Sequence, residues 1–233
     1  MLNTFDNTIV SFLNELARQA WTFNSIVVSV ATTRLFKGTV LVPLLWWLWF
    51  RSDANKNRTR EVILTTIGAC YVATGVSQFL QVICPFRSRP LYTPELALHL
   101  PYTMSLTDVS DSSSFPSDHA ILFFALGVGL LIVSRVVGAA ALAYVVLATC
   151  LPRIYVGLHF PTDIIAGAFI GGGIAYFAGI SATVRRIIRD HVLKWEQNNA
   201  GMFYTCLFVS TYEIAILFDD VNVIRYALHL ILA

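Results

Sequence analysis

Long apolar runs fill most of this chain, and short connections separate them. One run covers residues 119–134, and the next covers residues 137–151. Over the whole chain 56% of the residues are hydrophobic and 13% are charged, whereas an ordinary globular domain carries about 25% charged residues. Because a helix can satisfy its own backbone hydrogen bonds in lipid, these runs predict an integral membrane protein built from helices.

Six spans can be drawn through the apolar runs. They cover residues of about 30–50, 61–84, 119–134, 137–151, 163–181 and 202–218. A short turn around Arg135 separates the third span from the fourth, which predicts a tight helical hairpin. Within the fifth, Gly167, Gly171, Gly172 and Gly173 would allow close contact between helices. We therefore predict an all-α bundle of six transmembrane helices that forms a single membrane-embedded domain over residues 1–233, with the motif-bearing core at about 60–181.

The N-terminal segment has a different pattern. Between residues 5 and 20, Phe5, Ile9, Phe12, Leu13 and Leu16 recur at helical spacing, with polar residues between them. This spacing predicts an amphipathic helix that lies at the membrane interface and does not span the bilayer.

Basic residues are concentrated in three of the predicted connections. Residues 51–60, Arg135 and residues 185–194 together hold nine lysines and arginines, whereas the opposite connections hold only Arg87, Arg89 and Arg153. Because connections rich in lysine and arginine stay in the cytoplasm, the motif-bearing side is predicted to face the periplasm of a bacterial inner membrane. The formal net charge of +2 is too small to suggest a nucleic-acid partner.

The first chemical motif follows the second span. Arg87 and Arg89 lie two residues apart in a stretch bounded by prolines. Two guanidinium groups on a stiff loop can hold one phosphate with paired hydrogen bonds. The alternative interpretation is an interfacial basic pair that binds lipid headgroups.

The second motif opens the third span with a run of serines, Pro116, Ser117, Asp118 and His119. Free backbone N–H groups at a helix start attract an anion, and His119 in the first turn could protonate a leaving oxygen. The alternative is an ordinary serine cap followed by an interfacial histidine.

The third motif places Arg153, His159 and Asp163 before and at the start of the fifth span. An aspartate one turn beyond a histidine can accept the second ring N–H and orient the imidazole. Phosphoryl transfer needs a cation on the equatorial oxygens and an in-line nucleophile, and Arg153 and His159 are of those types. The alternative is an isolated loop with an interfacial histidine.

Together the three motifs resemble the type 2 phosphatidic acid phosphatase superfamily. Its signature is K-x6-R-P, then P-S-G-H, then S-R-x5-H-x3-D, on a six-span helical core. The corresponding text here is Val82-x6-Arg89-Pro90, then Pro116-Ser117-Asp118-His119, then Pro152-Arg153-x5-His159-x3-Asp163.

The resemblance implies a role for each matching residue. It implies that His159 is the nucleophile that forms a phosphohistidine, that Asp163 orients it, and that His119 is the acid for the departing oxygen. Three residues are implied to hold the phosphoryl group: Arg89, Arg153 and Ser117. The family works without a metal or other cofactor, and the four scattered cysteines suggest no metal site either.

The sequence departs from the family signature at three positions. Val82 stands where the signature has lysine, so one phosphate-binding cation is missing; Arg87 is the nearest replacement and Lys37 is a second candidate. Asp118 replaces the glycine of the second motif, as in the bacterial branch that resembles undecaprenyl-diphosphatases. Pro152 replaces a serine, which removes one hydroxyl contact.

The expected function is therefore a membrane lipid phosphatase, with a lipid phosphate or diphosphate as substrate and the bilayer as its environment. Undecaprenyl diphosphate is the substrate that the resemblance favours, with the monophosphate carrier lipid as product. Three alternatives stay open: a phosphatidylglycerophosphate or phosphatidate phosphatase, a lipid phosphotransferase, and a non-catalytic membrane subunit that binds phospholipid.

Overall fold

The computed structural model describes residues 3–17, 21–33, 36–52, 55–98 and 112–218, and every regular element within these ranges is helical. The helices are α1 (Thr4–Ala17), α2 (Trp21–Thr32), α3 (Gly38–Phe50), α4 (Lys56–Ile83), α5 (Asp118–Val133), α6 (Arg135–Tyr155), α7 (Pro161–Ile180), α8 (182–198) and α9 (Ala200–Ala215). Short 3-10 turns lie at Pro90–Tyr92 and Pro94–Leu96. Both α6 and α8 contain a π-helical segment, at Val145–Cys150 and Ile188–Leu193.

Three of these helices are long and apolar enough to cross a membrane, namely α4, α6 and α7. Shorter apolar helices occur at Thr22–Thr32, Gly38–Phe50 and Asp118–Val133. The integral-membrane character is thus clear, whereas the described residues do not confirm the count of six spans. The predicted first span, residues 30–50, is split, because α2 ends at Thr32 and α3 begins only at Gly38.

Close packing explains why a glycine begins α3. A Cβ atom at Gly38 would lie 2.6 Å from the Cα atom of Ala215, so only a residue without a side chain lets α3 approach the end of α9 this closely. Glycine is also a poor helix former, which favours a helix boundary at this position.

Helix α5 lies at the centre of the bundle, and α4, α6 and α7 pack around it. Its side chains from Ala120 to Phe123 are almost completely buried. A single residue, Ser134, separates α5 from α6, and its hydroxyl group accepts a hydrogen bond from Val137 N. The tight hairpin predicted around Arg135 is therefore present.

Two glycines of α7 permit close helix contact in this bundle. A Cβ atom at Gly171 would lie 1.8 Å from the carbonyl oxygen of Ile121, and one at Gly167 would lie 2.8 Å from the Cβ atom of Ala120. At Gly173, in contrast, a Cβ atom would have no neighbour within 4 Å. The predicted role in close packing therefore applies to Gly167 and Gly171, and Gly173 does not share it.

Helix α1 is present, but its buried face is not the predicted apolar one. Phe5 and Phe12 are exposed, whereas Asp6, Val10 and Asn14 are buried. The helix packs against the end of α6 and the start of α7. One face of α1 therefore contacts the protein, and the described residues do not confirm the predicted interfacial placement.

The basic connections and the chemical motifs lie at opposite ends of α4. At its start, Glu61 accepts hydrogen bonds from Arg189 of α8, at 2.6 and 3.1 Å, and Arg60 pairs with Glu196 of α8 at 2.7 Å. The arginine motif follows the other end of the helix. Since α4 has 28 residues, about 42 Å of helix separates the two ends.

Candidate active site

Backbone hydrogen bonds join the three motif segments at one end of the bundle. Ser114 N donates to the carbonyl oxygen of Arg87 at 2.8 Å, which joins the segment before α5 to the one after α4. Ser117 N donates to the carbonyl oxygen of Asp163 at 3.3 Å, which joins α5 to α7. Segments that are up to 76 residues apart in the chain therefore meet in one place.

A tight turn between α6 and α7 carries His159. Gly157 has a φ of +80°, in the left-handed region that glycine adopts without strain. Leu158 N then donates to the carbonyl oxygen of Arg153 at 2.9 Å and closes the turn. This turn brings His159 close to Arg153, six residues before it in the chain.

His159 is buried, with 2% of its surface exposed. Its Nδ1 atom lies 2.9 Å from the carbonyl oxygen of Ser114, and a carbonyl only accepts, so Nδ1 carries the proton and donates. The carboxylate of Asp163 is farther away, with its Oδ2 atom at 4.0 Å. The ring is therefore oriented by a backbone carbonyl, where the sequence predicted the carboxylate, and Nε2 keeps its lone pair.

Asp163 affects the position of His159 indirectly, through Ser114. Its Oδ2 atom accepts hydrogen bonds from the hydroxyl group of Ser114 and from Phe160 N, the latter at 2.8 Å. The second contact follows from the local sequence, because Pro161 begins α7 and an acid at the third helical position can reach back to the backbone before the helix. Asp163 thus fixes Ser114, whose carbonyl oxygen holds His159.

His119 lies between an acid and a guanidinium group. Its Nδ1 atom is 2.8 Å from Oδ1 of Asp118, and its Nε2 atom contacts Nη2 of Arg153. Because arginine only donates, Nε2 accepts and the ring proton is on Nδ1, which donates to Asp118. The residue that replaces the glycine of the family signature therefore holds the imidazole of His119.

Arg153 also acts on the second histidine. Burial, followed by the positive charge of Arg153, lowers the pKa of His159 to about 3, against an ordinary value of 6.5. Arg89 contributes in the same direction and Asp118 in the opposite one. The imidazole of His159 is consequently neutral at physiological pH, and this is the form that can attack phosphorus.

Arg89 and Ser117 hold the loops that form the site. The guanidinium group of Arg89 donates to the hydroxyl group of Ser112 at 2.8 Å and to the carbonyl oxygens of Ser112 and Leu158 at 3.3 Å each. The hydroxyl group of Ser117 accepts from Ala120 N at 3.5 Å and so caps α5. Arg89 and Ser117, which were predicted to bind the phosphoryl group, are thus at the site, and there both form hydrogen bonds with the protein.

Arg87 has different partners from those predicted. Its Nη1 atom donates to Asp163 at 2.5 Å and to Thr162 at 2.9 Å, its Nη2 atom donates to Asp6 at 2.7 Å, and its guanidinium carbon lies 4.2 Å from the centre of the Phe160 ring. Two buried carboxylates thus compete with any phosphate for this cation. These contacts do not support Arg87 as the replacement for the missing signature lysine, and that role stays an untested prediction.

Lys37 is the other candidate for the missing cation, and its position fits better. Val82, where the signature has lysine, is 83% exposed on the outer face of α4. Lys37 comes directly before α3, at the break in the predicted first span, and its charge acts on His119. Lys37 is therefore near enough for its charge to act on His119, and its role as the replacement cation stays a prediction.

Three residues at the site were missed by the sequence analysis, namely Asp6, Ser114 and Thr162. Asp6 was visible as an acid in the first turn of α1, and Ser114 belonged to the serine run before Pro116. Nothing in their spacing indicated that they would meet Asp163. Among the described residues, no group of three or more histidine, cysteine, aspartate or glutamate side chains could hold a metal ion.

The chain is similar in sequence to known proteins. The chain is 28% identical to the bacitracin transport permease protein BcrC of Bacillus licheniformis over 186 residues, which cover 80% of this chain and 85% of that protein. No solved structure matches the chain significantly. The model of the PAP2 superfamily matches residues 58–186, more than half of the chain, and this stretch includes all three motifs. The chain therefore belongs to the PAP2 superfamily, whose members are phosphatases.

Proposed function

We propose that this protein is a metal-independent membrane lipid phosphatase that hydrolyses a polyprenyl diphosphate to the monophosphate through a phosphohistidine intermediate. The observation that carries the proposal is the buried cluster of His159, His119 and Arg153. It combines a neutral imidazole, a second histidine held by an acid, and a guanidinium group. A site that only bound phosphate would need the cations but neither histidine arrangement.

The first chemical step follows from the tautomers of His159 and His119, which both carry the ring proton on Nδ1. Nε2 of His159 attacks phosphorus, and the bond between phosphorus and the leaving oxygen breaks in line with it. Arg153, which contacts Nε2 of His119 in the free site, turns to the phosphoryl oxygens and adds hydrogen bonds that strengthen as negative charge develops. His119 takes up a proton from solvent as Arg153 turns away from it, with Asp118 holding its Nδ1 atom, and gives its Nε2 proton to the departing oxygen.

The second step returns the enzyme to its starting state. His119, now neutral at Nε2, accepts a proton from water as the water oxygen attacks phosphorus. The bond between phosphorus and Nε2 of His159 breaks, and inorganic phosphate leaves. Throughout both steps the proton on Nδ1 of His159 stays in its hydrogen bond to the carbonyl oxygen of Ser114, which keeps Nε2 as the reacting atom.

The site lies at the end of the bundle opposite the basic connections, and we place it at the periplasmic face of the inner membrane. A diphosphate brings more negative charge than a monoester, and Arg153, Arg89 and Lys37 are three cations close to the two histidines. The Asp118-His119 pair, which resembles the bacterial branch similar to undecaprenyl-diphosphatases, supports the polyprenyl diphosphate over glycerol-based lipids.

A panel of purified lipids tests the proposed substrate. We expect phosphate release from undecaprenyl diphosphate to exceed release from phosphatidate and from phosphatidylglycerophosphate, with EDTA present throughout. The assay is run with and without a second lipid acceptor, so that transfer to lipid is separated from transfer to water. Preference for a glycerol lipid would overturn the substrate, transfer to the acceptor would identify a phosphotransferase, and loss of activity in EDTA would overturn the metal-independent mechanism.

Replacing Lys37 with alanine tests the assigned cation. We expect the KM to rise by roughly tenfold, because a charge-assisted hydrogen bond to phosphate is lost, while kcat changes less. Lys56→Ala is the matched control, since Lys56 is an exposed lysine at the basic end of α4. An unchanged KM in Lys37→Ala would show that Lys37 does not replace the signature lysine.

A further inference from the structure

Asp6 is a completely buried acid on a helix that the family signature does not include. Its exposed fraction is 0%, and both of its carboxylate oxygens are used. Oδ1 accepts from Thr162 N at 3.0 Å, and Oδ2 accepts from the hydroxyl group of Thr162 at 2.6 Å and from Arg87 at 2.7 Å. Burying a charged carboxylate is costly unless it is paired, so this placement reflects a specific set of contacts.

These contacts connect α1 to the proposed nucleophile in a continuous series. Arg87 joins Asp6 to Asp163, and Asp163 accepts a hydrogen bond from the hydroxyl group of Ser114. The carbonyl oxygen of Ser114 then holds Nδ1 of His159. All members are hydrogen-bonded, and all except the partly exposed Arg87 are buried, so displacement of one has to be taken up by the next.

We propose that Asp6 is a positioning residue for the nucleophile, and that α1 is a part of the active-site architecture. This inference rests on the proposed role of His159. Asp6 touches neither His159 nor His119; it sets the place of Arg87 and of the first turn of α7, which carries Asp163. The proposal explains why the buried face of α1 carries an acid.

Charge balance predicts what loss of Asp6 would do. Arg87 is shared between two carboxylates, those of Asp6 and Asp163, and its guanidinium group lies over the Phe160 ring. Without the negative charge of Asp6, Arg87 is drawn toward Asp163 alone and competes with Ser114 and Phe160 N for its oxygens. The carbonyl of Ser114 then moves, and the in-line approach of Nε2 is lost in part.

The variant Asp6→Asn tests this inference with a readout that separates positioning from binding. We expect kcat to fall about tenfold or more, with the KM within about twofold of wild type, because misplaced reacting atoms slow the chemical step and leave substrate contacts intact. The matched control is Glu15→Gln, which removes the same charge from an exposed position on the same helix. The control should keep the wild-type kcat.

Two results would overturn the proposal. An unchanged kcat in Asp6→Asn would show that Asp6 does not help to position His159. A raised KM with unchanged kcat would show that α1 contacts the substrate. Wild type and His159→Ala are measured beside these variants, so that an inactive wild type or an active His159→Ala would signal failure of the proposed function, separately from this inference.

A second variant covers the case in which Asp6→Asn does not fold. Thr162→Val keeps the size of the side chain and both buried acids, but removes the hydroxyl group that Asp6 and Arg87 share. Thermal unfolding in detergent reports whether each variant folds. A folded Thr162→Val with reduced kcat and unchanged KM would support the proposal, and one with wild-type kcat would overturn it.

Discussion

The variant His159→Ala is expected to lose turnover by about 10⁴-fold or more, because no other group replaces the nucleophile that splits the reaction into two steps. The side chain is buried and neutral, and its Nδ1 proton is held by the carbonyl oxygen of Ser114. Alanine removes this contact but leaves the helices around it in place, so we expect expression and thermal unfolding to stay close to wild type. Phosphate release from the preferred lipid measures the effect.

Two further measurements make this result specific. His191→Ala is the matched control, since His191 is an exposed histidine on α8 at the opposite end of the bundle, and it should keep wild-type turnover. Wild-type protein quenched during turnover should carry labelled phosphate that is stable in base and lost in acid, as expected of phosphohistidine. Label on His159→Ala, or turnover within tenfold of wild type, would remove His159 as the nucleophile.

The variant His119→Asn is expected to lose turnover by about 10³-fold with an alkyl phosphomonoester, whose leaving oxygen must be protonated as it departs. In the structure Nδ1 of His119 donates to Asp118 and Nε2 faces Arg153, so the ring can pass a proton through Nε2. Asparagine fills similar space but cannot transfer that proton. Steady-state rates with a phosphatidate measure the loss.

The leaving group distinguishes acid catalysis from a structural role of His119. With p-nitrophenyl phosphate the departing oxygen is stable as an anion, so the first step should survive in His119→Asn. The second step still lacks its base, and we expect a burst of about one p-nitrophenolate per protein molecule followed by slow turnover. Equal losses with both substrates and no burst would contradict the assignment of His119 as acid and base.

Much of the helical architecture could be predicted from the apolar pattern. Helices occur within the six predicted apolar runs, although the described residues do not confirm six spans, and the hairpin at Ser134 and the close contacts of Gly167 and Gly171 were anticipated. The split between α2 and α3 was not, because it accompanies the close packing of Gly38 against the end of α9. A hydropathy pattern does not record this contact.

The local partners of the motif residues were harder to predict than the motif residues themselves. Spacing alone placed Asp163 one turn from His159 and suggested a direct hydrogen bond, yet the start of α7 at Pro161 directs the carboxylate to Phe160 N and Ser114. Arg87 looked like a phosphate ligand because its neighbour Arg89 matches the signature. Its partners are instead Asp6 and Asp163, which lie 81 and 76 residues away in the chain.

The sequence by itself determined that this chain is a helical membrane protein and which three segments carry its family signature, because hydropathy and motif spacing are local properties of the chain. Only the tertiary structure decided that Ser114 holds the ring of His159, that Asp118 holds His119, and that Asp6 on α1 is joined to Asp163 through Arg87. Those contacts arise where helix ends meet, and a buried polar group takes whichever partner the packing brings within hydrogen-bond distance.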